Sequence, residues 1–338
     1  MSLASSPLLL ALDFGGTKLT AAAAHAGQQT WLAHRRVFSP PGVDGRYEYD
    51  AMLGLAYDLI ETMGQPPAAI GVSFGGPVYA PEGLVRLSYH VPGWENTPLA
   101  DWLQAELNAP VAVDNDANVA ALGEFRFGAG QGCQHVLYVT ISTGIGGGWI
   151  LNGQLYAGAD GMAGEIGHLM VQPGGFLCPC GRRGCLEAEA SGPAMAHRAR
   201  LYLAKKKGKA NLERSRRAEH SGRGKRLLQL AEGNPDKITA QMISQAAAEG
   251  DKLSQKVIRE SAKRLGLGLA GAITLMNPDR VVLGGGVTQS GERWWQIVRD
   301  TARAQTPSEI SVEIVPAALS DDAPLWGAVA LAEDLLKK

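Results

Sequence analysis

Leu8-Leu-Leu-Ala-Leu-Asp13-Phe-Gly-Gly-Thr17-Lys18-Leu-Thr-Ala-Ala-Ala-Ala24 is the stretch from which the rest of the chain can be read. An apolar run at 8–12 ends in an Asp-x-Gly-Gly-Thr bend, and 18–24 returns as a second apolar run, which predicts a β-hairpin bent on glycine. The design recurs at 135–142 (HVLYVTIS), where a β-branched and aromatic run meets Thr143-Gly-Ile-Gly-Gly-Gly148. Strand resumes there at 149–151 before an Asn152-Gly153 hairpin turn. Two strand, glycine-turn, strand units about 130 residues apart predict two related α/β halves.

Outward from these units, 49–63 reads as a helix and 68–73 as a buried strand running into Gly75-Gly76-Pro77. Residues 99–107 read as a second helix and 111–113 as a strand entering Asp114-Asn-Asp-Ala-Asn118. That Asx cluster can cap the apolar helix that follows through 125. Helices are predicted at 193–204, 240–249, 251–276 and 322–336, with a strand at 280–283 opening onto Gly284-Gly-Gly286.

The chain has 338 residues, 45% apolar and 19% charged, which suits a folded protein of two domains. Glycine, at 43 residues, is nearly twice its usual share and follows no collagen-like period. Formal net charge is −1, so no global field favours nucleic acid or membrane. One segment departs from this: 205–226 holds ten Lys or Arg against Glu213 and Glu219, a net +8. Its three glycines and lack of apolar period predict an exposed, mobile insertion. The apolar start has no basic residue before it and an aspartate after it, so it reads as a strand and not a signal peptide. No stretch is long and apolar enough to span a bilayer, and a cytoplasmic location is expected.

A glycine backbone can approach a phosphate closely and turn its amides toward it. Standard phosphate motifs are absent: there is no GxxxxGK[ST], and at Gly144 a GxGxxG pattern fails at Trp149. Each glycine turn alone is explained as well by a plain hairpin. Three of them directly after buried strands, with Asp13, Thr17 and Thr143 in company, favour anion binding. Asp114-x-Asp116-x-Asn118 starts like a calcium loop, but Val119 and Phe125 stand where glycine and glutamate are required. Helix capping would use only one of these side chains. His168, Cys178, Cys180 and Cys185 supply one imidazole and three thiolates, a complete tetrahedral set for structural Zn²⁺. The alternative, buried free thiols, fits the Pro/Gly/Arg-rich CPCGRRGC surroundings poorly.

Six segments in order, Asp13-Phe-Gly-Gly-Thr-Lys18, Asn115-Asp-Ala-Asn118, Thr143-Gly-Ile-Gly-Gly-Gly148, Gly164-Glu-Ile-Gly-His168, Cys178-Pro-Cys-Gly-Arg-Arg-Gly-Cys-Leu-Glu187 and Gly284-Gly-Gly286, resemble the signature of ROK-family sugar kinases. The resemblance covers nearly the whole chain. It implies an actin-like ATPase fold in which two ribonuclease-H-like α/β domains flank a cleft holding ATP and a hexose. The expected division is a small domain, 1–118, joined by a terminal helix at about 322–338, and a large domain, 119–321, carrying the zinc loop and the basic insertion. By this resemblance Asp13 would organise Mg²⁺ through water, and Gly15, Gly16, Thr17, Lys18, Thr143 and Gly144 would hold the phosphates. Gly285 and Gly286 would line the nucleoside site. Asp116 would be the catalytic base, and Gly76, Asn115, Asp116, Glu165, His168 and Glu187 would bind the sugar. The zinc would shape the sugar-side loop, fixing one nitrogen of His168 and leaving the other for a hydroxyl.

The expected activity is ATP-dependent phosphorylation of a hexose 6-hydroxyl, glucose first. N-acetylmannosamine, N-acetylglucosamine, mannose, fructose and allose remain as alternatives, as does polyphosphate in place of ATP. Family likeness also implies a homodimer or homotetramer. The contrasting class is a non-catalytic sugar-sensing regulator on the same fold; those carry a helix-turn-helix ahead of the kinase-like part, and Asp13 stands too early for one. An anionic partner, nucleic acid or polyphosphate, is motivated only by the +8 of 205–226. His25, His34, His135, His197 and His220 lack partner spacing; His90 is a candidate for sugar specificity. Cys133 reads as an apolar filler and Trp294-Trp295 as helix packing.

Overall fold

The computed structural model describes residues 6–204 and 224–337. These fall into two compact units, one of Met1–Tyr138, Gly147–Gly164 and Ala317–Lys338, the other of Val139–Gly146 and Glu165–Pro316.

In the first unit, β1 (Leu8–Gly15) and β2 (Lys18–His25) form the expected hairpin, with Gly15 paired to Lys18. A strand the sequence reading missed, β3 (Trp31–Phe38), continues the antiparallel meander. Its alternating exposure shows why: it is a half-solvated edge with polar residues at 34–36, and it lacks the uniform apolar run of its neighbours. On the other side β4 (Ala69–Phe74) and β8 (Val111–Asn115) pair parallel to β1, giving the order β3-β2-β1-β4-β8. Strands buried on both faces read as continuous apolar runs, as β1 does.

Leu8, Leu10, Leu12 and Phe14 face one core with Met52, Ala56 and Leu59 of helix α1 (Gly45–Met63). That helix is capped by Asp44, whose carboxylate accepts the Tyr47 amide at 3.0 Å, and ends on Gly64 at φ 65°. Leu9 and Ala11 face a second core with Val119, Leu325, Ala328 and Val329. The last three belong to the terminal helix Ala323–Leu335, the first to α3 (Asp116–Phe127). This face closes tightly because two glycines permit it: a Cβ on Gly71 would stand 1.8 Å from the Ala328 carbonyl oxygen, and one on Gly327 1.7 Å from that of Val119. Between β4 and β8 lie α2 (Leu99–Leu107) and a small three-stranded sheet, β5 (Val78–Tyr79), β6 (Leu84–Val85) and β7 (Thr97–Pro98), whose two-residue strands left no periodic signal.

A second five-stranded sheet has the order β11-β10-β9-β12-β13, with β9 (Val136–Ile141), β10 (Ile145–Leu151), β11 (Gln154–Tyr156), β12 (Arg280–Gly284) and β13 (Glu313–Pro316). Here the sequence reading needs correction: the glycines at 146–148 belong to strand β10, and the turn is only Ser142-Thr143-Gly144. Glycine is needed inside the strand because a Cβ on Gly148 would stand 2.7 Å from the Ala121 Cβ and 2.8 Å from the Ala117 carbonyl oxygen of α3.

Helices of the second unit are α4 (Leu186–Ala190), α5 (Gly192–Ala204), α6 (Lys225–Leu230), α7 (Ala240–Ala248), the long α8 (Lys252–Met276) and α9 (Glu292–Ala304). Trp294 and Trp295 of α9 are buried and meet edge to face. The basic insertion expected at 205–226 lies outside the described residues up to 223. Its last two members, Lys225 and Arg226, start α6, and Arg226 is ion-paired with Glu249. Among the described residues no helix is long and apolar enough to cross a membrane.

Candidate active site and metal centre

In the first unit the parallel register places Asp13 beside Ser73 and Ser73 beside Asp114, a row of polar side chains across the carboxyl ends of three strands. All three are buried. The Ser73 hydroxyl donates to Asp13 Oδ1 at 2.8 Å. Burial pushes the Asp13 carboxyl up to about 6, against the pull of Ser73 and of Lys18 and Arg36. Burial likewise raises Asp114, whose Oδ1 accepts the Asn115 amide at 2.6 Å and the Asn118 side-chain amide at 3.0 Å. Ser73 was not foreseen; its signal was a lone hydroxyl closing an apolar strand just before Gly75-Gly76.

One residue further along, the chain leaves the sheet in turns. Asn115 caps α3, with Oδ1 accepting the Ala117 amide at 3.0 Å and its side-chain amide donating to the Gly76 carbonyl at 2.9 Å. Gly76 thus holds Asn115 through its backbone, and a Cβ there would meet the Leu87 carbonyl oxygen at 2.4 Å. Asp116 is the first residue of α3 and half-buried. Its Oδ1 accepts the Ala117 amide at 2.8 Å, and its Oδ2 is 3.9 Å from where a Cβ on Gly75 would stand. Asp116 is thus an oriented carboxyl group where β8 passes into α3.

Gly15 and Gly16 lie half-buried in the hairpin turn with Thr17 exposed beside them, and Lys18 comes within 3.8 Å of the exposed Asp321. The His90 side chain lies against Gly16, its Cβ, Cδ2 and Cγ 2.9–3.1 Å from the position of a Cβ there. His90 therefore packs on the β1–β2 turn.

In the second unit, Thr143 is exposed and Gly144 half-buried in the β9–β10 turn. Glu187, on α4, reaches this turn: its Oε2 accepts the Ile145 amide at 3.0 Å and lies 2.6 Å from where a Cβ on Gly144 would stand. Gly285, at φ 85°, passes under Ile141 so closely that a Cβ would stand 2.4 Å from that carbonyl oxygen. Gly286 is exposed and unobstructed, at the start of a short 3₁₀ turn, Gly286–Ser290.

The ligand atoms of His168, Cys178, Cys180 and Cys185 all lie within 4.8 Å of one another, and Cys133 stands apart. Cys178 Sγ is 3.7 Å from His168 Nδ1, and Cys180 Sγ is 3.7 Å from Cys185 Sγ. Around a Zn²⁺ with arms of about 2.3 Å the tetrahedron's edges are about 3.8 Å, so the four residues fit the ion closely. Burial pushes the Cys178 thiol up to about 12 and raises Cys185, whereas the Arg182 amide and guanidinium hold Cys180 down to about 6. Cys180 thus offers a thiolate at neutral pH. With Nδ1 turned to the cysteines, His168 Nε2 faces the Glu165 carboxylate at 3.7 Å. Glycine lets this segment lie on β10: a Cβ on Gly167 would stand 2.0 Å from the Ile145 carbonyl oxygen. Behind the metal loop, the buried Arg198–Glu189 pair holds Phe176 from both sides, through the amide accepted by Glu189 at 2.8 Å and a guanidinium 4.9 Å from the ring centre. His197 packs edge-on to the same ring.

Residues 9–335 match the model of the ROK family. The glucokinase of Thermotoga maritima is 33% identical over 288 residues, 84% of this chain and 86% of that protein. The ROK family glucokinase of Streptomyces griseus, solved in complex with glucose and AMPPNP, is 33% identical and superposes with a TM-score of 0.79 over 97% of this chain and 99% of that one. A xylose repressor of Caldicellulosiruptor bescii is 31% identical over 291 residues, 83% of this chain and 68% of that protein.

Proposed function

The chain belongs to the ROK family and has its actin-like ATPase fold, and from that premise we propose that it is an ATP-dependent sugar kinase, a glucokinase acting on the 6-hydroxyl of glucose. The observation that carries the reading is Asp116: a carboxylate oriented by one amide, at a helix N-terminus, beside the glycine turn that closes β4.

Phosphoryl transfer through a loose transition state needs an aligned acceptor hydroxyl more than a strong base. Asp116 takes the proton of the 6-hydroxyl as its oxygen bonds to the γ-phosphorus, and ADP leaves with the electrons of the broken bond. Asn115, held by Gly76, and Glu165, His168 and Glu187 bind the other hydroxyls. Gly15, Gly16, Thr17 and Lys18 on one hairpin, Thr143 and Gly144 on the other, and Gly285 and Gly286 receive the nucleotide. Asp13 would help to hold Mg²⁺, which would neutralise phosphate charge. His168, Cys178, Cys180 and Cys185 would hold a Zn²⁺ whose role would be structural, since the protein would supply all four of its ligands.

The protein is proposed to be cytoplasmic, a homodimer or homotetramer, with a small domain of 1–118 plus the terminal helix and a large domain of 119–321. The test is sugar phosphate formation from glucose, mannose, fructose, allose and the two N-acetylhexosamines, with ATP or polyphosphate as donor. Glucose should give the highest kcat/KM, and Asp116→Ala should lower kcat about 10³-fold. If no sugar stimulates turnover, or the variant keeps it, the assignment fails. The likeness to a xylose repressor supports a second reading, a sugar-responsive regulator; salt-sensitive duplex DNA binding without turnover would establish that one instead.

A further inference from the structure

Glu187 joins two parts of the second unit that lie 42 residues apart in sequence. Cys185, one corner of the metal cluster, precedes α4, and Glu187 is the second residue of that helix. A change in the position of Cys185 is therefore passed to Glu187 through a single intervening residue. At the other end, the Glu187 carboxylate grips the Ile145 amide and lies against Gly144, immediately after Thr143. The contact is on the inner side of the turn, since Ile145 is 5% exposed whereas Ser142 and Thr143 are exposed. The bond thus fixes the path of the backbone at Gly144 and Ile145.

We infer that Glu187 is a positioning residue tying the metal loop to the Thr143–Gly144 turn, so that the intact Cys/His centre strengthens nucleotide binding even when no sugar is present. This rests on the kinase reading, which assigns Glu187 to the sugar and the turn to phosphate. Gln at 187 keeps an oxygen at the same reach for the Ile145 amide, whereas Ala removes it. Loss of charge and loss of the tie are thereby separable.

The experiment is calorimetric titration of MgADP, without sugar, into the zinc-loaded full chain, as wild type, Glu187→Gln and Glu187→Ala, with zinc content measured for each. The Ala variant should bind about tenfold more weakly and the Gln variant within about twofold of wild type. Stripping the metal should weaken the wild type about tenfold and the Ala variant no further. Equal affinity of Ala and wild type overturns the inference, as does a Gln variant as weak as Ala, or a stripped Ala variant weakened as much as stripped wild type. If the Ala variant does not fold, Glu187→Leu replaces it, keeping side-chain bulk on α4 but offering the Ile145 amide no acceptor. Unchanged MgADP affinity in that variant would overturn the inference, and about tenfold weaker binding with full zinc content would support it. Failure of the kinase reading is seen separately, as absence of sugar-stimulated ADP release by the wild type.

Discussion

In the β1–β2 hairpin the glycines sit in the bend, Gly15 paired with Lys18 and Gly16 against the His90 side chain; in the β9–β10 hairpin most of the glycine run lies in the strand, with Gly148 against α3. The two stretches look alike in sequence, yet glycine answers a different need in each. In the first it lets the Lys18 carbonyl and the His90 side chain come close to the bend. In the second Gly144 makes room for the Glu187 carboxylate, and Gly148 lets a helix pack at a distance no side chain would allow.

Substitution at the packed glycine should break this comparison most visibly. Gly148→Val places a branched side chain against Ala117 and Ala121 of the helix that carries Asp116, and should cost about 3 kcal/mol or more of stability in urea unfolding. If Gly148→Val unfolds like the wild type, the packing role is wrong. The first hairpin offers a titration of comparable size. Asp13 is protonated more readily in the folded chain, at about 6, than in the unfolded one, so folding takes up a proton between about pH 4 and 6. The sign follows: in metal-free and nucleotide-free protein this group favours the fold below about pH 4 and costs up to about 3 kcal/mol once pH rises past 6. Asp13→Asn should remove that loss, appearing more stable than wild type at pH 7.5 but not at pH 4; equal stability differences at both pH values would contradict it.

Gly15→Ala comes within 3.1 Å of the Lys18 carbonyl, with Asp13 Oδ2 and Lys18 Cγ at an ordinary 3.9 Å, and should cost under about 1 kcal/mol of stability while raising the KM for ATP, the reverse of the Gly148 pattern. The smallest effect is expected at the exposed Lys18–Asp321 pair. Asp321→Ala should change stability by less than about 0.5 kcal/mol and leave the melting temperature within a degree or two, as scanning calorimetry would check.

Much of the candidate site could be read from local chemistry. The Asp13 to Lys18 bend, the Asx cluster at 114–118 and the His168, Cys178, Cys180, Cys185 set each combine reactive side chains with spacing that only a turn, a cap or a tetrahedron requires. Ser73 and His90 were less legible, because what brings Ser73 to Asp13 is a parallel register, and what lays His90 on Gly16 is a loop returning over the sheet. The contact of Glu187 with Ile145 was invisible for the same reason: it links a helix and a strand with no pattern shared between them. Strand β3 and the two-residue strands of the small sheet were missed because exposure on one side and brevity leave no apolar period.

The sequence by itself determined the residue types that can do chemistry and the bends that present them, since both depend on side-chain identity and on backbone freedom within a few neighbouring residues. Only the tertiary structure decided which glycines face open space and which face another backbone, because that depends on distances of 2 to 3 Å to atoms remote in the chain. Gly286 and Gly327 are indistinguishable as letters; one is open and the other is wedged against Val119, and packing alone tells them apart.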